Sequence, residues 1–173
     1  MITMEEKTED LKKYFDPTEY ITKIIGKEIA AEEVPDLENK VANLITLLTD
    51  PANKEIKEQA LLTLKKDKEE DLLLLAIASP KAKEHRHKLI AACWESEINF
   101  SKYLPFFILL ALDDDYMVSL EAITVISTME GPFNREHVIE GLKKVKAAKK
   151  NISSERVVLL NDLIVTLEDF SKE

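Results

Sequence analysis

Glycine is nearly absent from this chain: 173 residues hold three, where average usage would give about 12. Folds that need many tight turns, and loops that cradle phosphates with glycine backbone, are disfavoured on that ground. Cysteine occurs once, at Cys93, so no internal disulfide can form, which fits a reducing compartment. Positive charge is short, with 24 Lys and Arg against 33 Asp and Glu and a net charge of -9. Phosphate backbones and anionic lipid surfaces are bound by cations, so nucleic acid and membrane are disfavoured as partners. The longest apolar run, Tyr103 to Leu112, contains Pro105 and is too short to span a bilayer. The first 15 residues are acidic and lack the apolar stretch of a secretory signal. These deficits predict a cytoplasmic protein.

The remainder is helix-forming material, dominated by Leu, Ile, Ala, Lys and Glu. A hydrophobic content of 45% excludes intrinsic disorder despite 33% charged residues. The length suits a single domain, residues 1–173, able to bury its own core.

Proline mostly punctuates helices. Asp16-Pro17, Asp50-Pro51 and Ser79-Pro80 each set a capping side chain before a proline at the first helical position. Glu19 and Glu70 stand three residues after Asp16 and Asp67, the spacing of a capping box. Gly131-Pro132 is a stop, and Asn134 can start the next helix. Between these marks the apolar spacing is helical, as in Val41, Leu44, Ile45 and Leu48, or Val157, Leu160, Ile164 and Leu167. No segment alternates long enough to suggest a strand, so the fold class is all-α. The marks predict a helical preface or cap over 5–31. Four helix pairs follow over 36–170, with spans 36–48, 51–65, 68–78, 80–95, 102–112, 115–130, 135–149 and 154–170. Short connections predict antiparallel packing of consecutive helices.

The second helices of the pairs look alike. Asp50-Pro51 leads to Ile56, Ala60 and Leu64, and Ser79-Pro80 leads at the same offsets to His85, Leu89 and Cys93. Asp113 leads to Val118, Ala122 and Ile126, and Ser153 to Leu159, Leu163 and Leu167, with starts 29, 34 and 40 residues apart. That is self-similarity at the scale of a solenoid. The segment Asp50-Pro51, Ile56, Ala60-Leu61 and Leu64 resembles the second helix of a HEAT repeat, which opens with Asp-Pro and continues with Val, Arg, Ala and Leu. Lys57 stands where that family often carries Arg. The resemblance implies a short α–α superhelix of the HEAT or armadillo kind, with an irregular helical bundle as the alternative. A lone pair cannot bury enough apolar area to offset its chain entropy, and stacking supplies the rest. Segments 72–78 and 104–112, apolar nearly all round, belong in the interior. The charged last helix, Ser153 to Glu173, is expected to be a polar cap.

Each chemical motif has a plainer reading. Glu84-His85-Arg86-His87 contains the Glu-x-x-His spacing of di-iron bundles, but the chain offers no second such motif. His85 and His87 point about 200° apart on a helix, and Cys93 and His137 are the only other N or S donors for zinc. Asp113-Asp114-Asp115 lacks the spacing of a calcium loop and is explained by helix capping. Lys143, Lys144, Lys146, Lys149 and Lys150 form a basic patch toward a helix C-terminus, where cations complement the dipole. Trp94 reads as a core or junction filler, and Cys93 as a packed thiol on the core stripe.

No catalytic, metal or cofactor residue emerges, which points to a non-enzymatic interaction scaffold presenting a concave row of second helices to another protein or peptide. Residues off the apolar stripe there are Lys54, Lys57, Glu58, Lys83, Arg86, His87, Glu121 and Arg156. Two other classes remain open. A HEAT-like nucleic-acid-binding or DNA-repair protein needs a positive groove holding Lys143, Lys146 and Lys149 beside Trp94 or Tyr103. A metal-dependent helical enzyme needs three ligands converging on His85 or His87.

Overall fold

The computed structural model describes residues 34–50, 52 and 54–173, so the preface at 5–31 and its Asp16–Glu19 cap lie outside the described residues. Among the described residues eight α-helices follow one another: α1 (Val34–Thr49), α2 (Lys54–Asp67), α3 (Glu70–Ala78), α4 (Arg86–Glu95), α5 (Leu104–Ala111), α6 (Tyr116–Ser127), α7 (Arg135–Lys149) and α8 (Ser154–Phe170). Short 3-10 turns at Pro80–His85 and Ser101–Tyr103 lead into α4 and α5. No strand occurs among the described residues, and the chain is all-α.

Several starts follow their capping side chains. Ser79 accepts from the Lys81 N–H at 3.3 Å, with Pro80 in the first turn. Asn134 accepts from the Glu136 and His137 N–H groups at 3.0 and 3.3 Å. Of the three consecutive acids, Asp115 is the cap of α6, holding the Met117 N–H at 2.9 Å. Asp113 instead accepts from the Asp115 N–H and shapes the loop before the helix.

Two local expectations are corrected. Asp67 caps nothing, because it closes α2, and α3 starts from Glu69 without a side-chain bond. Its neighbour Lys68 takes a left-handed conformation, φ 54°, that ends α2. The Glu69 N–H then reaches back to the Leu64 carbonyl at 3.0 Å and the Lys68 N–H to Lys65 at 3.4 Å, satisfying two terminal carbonyls. Glu97, φ 57°, does the same after α4. The second correction concerns the repeated stripe. Pro80–His85 winds as 3-10 helix, turning about 120° per residue instead of about 100°. His85 is therefore carried into solvent, and Ala82 becomes the buried residue. Ile56, its counterpart on α2, is also exposed, while Leu61, Leu64, Leu89 and Cys93 hold the core.

The interior is built around α5, whose Leu104, Phe106, Phe107, Ile108, Leu110 and Ala111 are all buried. α6 packs along it, and α7 approaches so closely that a Cβ on Gly141 would collide with Ile108 Cδ1. α3 is buried through Leu73, Leu74, Ala76, Ile77 and Ala78. Members of each pair touch, as do α1 and α3, α5 and α7, α4 and α6, and α6 and α8.

Several side-chain ties join successive pairs at 31 or 32 residues. Lys65 pairs with Glu97 and Glu70 with Lys102, each 32 residues apart, and the Tyr103 hydroxyl donates to Asp71 across the same interval. Asn99 grips the Glu130 backbone, 31 residues on, with both its amide nitrogen and its oxygen. The last junction is longer, where Arg156 donates to the Asp113 carbonyl 43 residues away.

Two predictions arise here. Relief of left-handed strain at an exposed lysine exceeds the added flexibility of glycine in the unfolded chain, so Lys68→Gly raises the free energy of unfolding by about 0.5–1 kcal/mol. Urea denaturation checks this, and a loss of stability refutes the terminator role of Lys68. Burial, and then the hydrogen bond to Asp71, push the Tyr103 phenol up to about 12 from its ordinary 10. The neutral phenol is thus favoured in the fold, and its contribution is present below pH 10 and lost as pH rises toward 12. Spectrophotometric titration should show one of the four tyrosines ionising last. Tyr103→Phe should remove that late component and flatten the alkaline loss of stability.

Candidate interaction surface

The eight residues singled out from sequence divide into two groups. Lys54, Glu58 and Lys83 are exposed, and His87 is half-buried. The other four are engaged within the chain. Arg86 donates from Nε to the Ile77 carbonyl at 2.9 Å, tying α4 to α3. Arg156 holds the Asp113 carbonyl and lies 3.8 Å from the Asp114 carboxylate. Lys57 on α2 pairs with Glu95 on α4 at 2.7 Å. Glu121 on α6 accepts from the Trp94 indole N–H on α4 at 2.8 Å.

Lys57 and Glu121 are thereby brought to one site, with Glu95 and Trp94 between them. The row crosses three helices, α2, α4 and α6. It forms because Trp94 follows Cys93, whose side chain is buried, and one residue further round the helix is about 100° off that stripe. Trp94 is consequently 39% exposed, which corrects the core half of its reading as a core or junction filler, while its bond to Glu121 places it at the junction of α4 and α6. The signal was present in the spacing, since Leu89 and Cys93 mark the core face and Trp94 does not share it. Met117, one turn before Glu121 on the same side of α6, is 41% exposed. Cys93 itself is fully buried, and burial pushes its thiol up, as suits a packed and inert group.

Exposed apolar side chains concentrate on this layer. Of nine large ones among the described residues, seven lie on α2, α4, α6 and α8. Val158 and Val165 project from the outer face of α8 at 61% and 58% exposure, so the last helix is less polar than a cap was expected to be. A shallow groove of about 650 Å³ lies elsewhere, where Pro105 and Ile108 of α5 meet Glu136, His137 and Glu140 of α7.

Chemical machinery is sparse. No group of three or more His, Cys, Asp or Glu side chains is arranged to hold an ion among the described residues. His85 is exposed and His87 half-buried, two residues apart on either side of the start of α4. Tyr103 is buried against Asp71, and the Trp94 ring is held at its edge by the Glu121 carboxylate, a neighbour that disfavours a phosphate backbone. Of the basic patch, Lys146 reaches Glu168 of α8 at 3.4 Å. No helix among the described residues is long and apolar enough to cross a membrane. No family model matches the chain, and no match is found among curated proteins or solved structures.

A surface indole contributes little to folding. Trp94→Ala is expected to lower the unfolding free energy by about 1 kcal/mol, against about 3–5 kcal/mol for Phe107→Ala in the core. Equal losses in urea denaturation would make Trp94 a structural residue and not a surface one.

Proposed function

We propose that this chain is a non-enzymatic protein-interaction scaffold of HEAT-like type, and that its partner is another protein or peptide seated on the layer of second helices. The observation that carries the reading is the number of exposed apolar side chains on those helices, among them an indole held by Glu121. Exposed apolar clusters bounded by polar residues mark interaction sites, and tryptophan is prominent among interface hot spots. Ties recurring at 31 and 32 residues support a stack of like units. A cytoplasmic setting is part of the proposal and accords with the single buried Cys93.

The test is affinity capture with the wild-type protein and with a Trp94→Ala, Met117→Ser double variant, followed by calorimetric titration of the purified partner. Binding at least about tenfold weaker in the variant is expected, a loss typical of hot-spot truncation. Binding that survives in this variant but disappears in Ile139→Ser, on α7, moves the interface to the opposite layer and sinks the reading.

A further inference from the structure

Resting on that reading of the second-helix face, we infer that its partner presents a cationic side chain, best an arginine, beside an apolar one. The row Lys57, Glu95, Trp94, Glu121 contains two carboxylates and one ammonium. Glu95 is neutralised by Lys57 at 2.7 Å. Glu121 forms no ion pair among the described residues, and its bond from the indole N–H uses one oxygen. A carboxylate accepts about four hydrogen bonds, so acceptor positions remain on Glu121.

The indole adds to the same preference. Its ring face carries negative electrostatic potential and attracts cations. The N–H bond to Glu121 holds the ring in one orientation, so little side-chain entropy is left to lose on binding. A guanidinium can stack on the ring while donating in its own plane to the carboxylate, which an ammonium cannot do. Met117 supplies a pliable apolar contact one turn away. An anionic segment meets an unmatched carboxylate here and is rejected.

Trp94 is the only tryptophan in the chain, so its emission reports on this site alone. Three short tryptophan-free peptides with the same leucine positions, and Arg, Gln or Glu at the others, are titrated against the full chain. The Arg peptide should change the emission saturably, the Gln peptide should bind about tenfold more weakly, and the Glu peptide should not bind. Glu121→Gln should weaken the Arg peptide about tenfold. Glu140→Gln, on α7, should not, which separates this site from general attraction to a chain of net charge -9. Unchanged affinity in Glu121→Gln, or an equal fall in Glu140→Gln, overturns the inference. So does the absence of any response to the Arg peptide. Equal binding of Arg and Gln peptides, lost in Met117→Ser by calorimetry, also overturns it while leaving the face a docking surface.

Discussion

Helix α5 is eight residues long, too short to persist in water by itself, and six of those residues are buried. Each large side chain there contributes about 2 kcal/mol only if neighbouring helices exclude water from it. α6 covers one side, and the buried Ser119 hydroxyl donates to the Ala111 carbonyl at the end of α5. α7 covers another, and the absence of a side chain at Gly141 sets how near it comes to Ile108. Phe100 and Phe107 close the base, ring centroids 5.5 Å apart in an edge-on arrangement. Once α5 has fixed α6, the side of α6 that carries Glu121 is turned toward α4, where Trp94 meets it. The surface row is therefore a by-product of burying an apolar helix.

Much of this architecture is legible in the residues themselves. Eight helices stand close to the spans that spacing and proline predict, and Ser79 and Asn134 cap as their side chains allow. What misleads is instructive. Asp67 and Glu70 satisfy a capping spacing by chance in an acid-rich chain, and only the backbone turn at Lys68 shows that Asp67 belongs to the preceding helix. The stripe through His85 assumes an α-helix, whereas Pro80 starts a tighter 3-10 winding that changes the phase. The exposure of Trp94 follows from its offset, but the bond to Glu121 depends on how α4 and α6 align, which no local pattern encodes.

The scarcity of glycine takes on a second meaning in three dimensions. Helices commonly end on a left-handed glycine. Here that task falls to Lys68 and Glu97, at matching places after α2 and α4. Charged residues thus sit where the chain reverses, and Glu97 uses its position to reach Lys65 on the previous pair. The terminators serve as linkers between units as well as stops. Such exposed ion pairs contribute little stability singly, so they align the units more than they hold them together.

Four of the ties between helix pairs share nearly one interval. Lys65 with Glu97, Glu70 with Lys102 and Asp71 with Tyr103 all span 32 residues, and Asn99 with Glu130 spans 31. A repeat of one such length sets each position opposite its own counterpart, where identical residues would put lysine on lysine at 65 and aspartate on aspartate at 71, so these complementary pairs require neighbouring stretches that differ in charge. The ties from Lys57 to Glu95, from Trp94 to Glu121 and from Arg156 to Asp113 depart from that interval, so each junction is also built from contacts of its own.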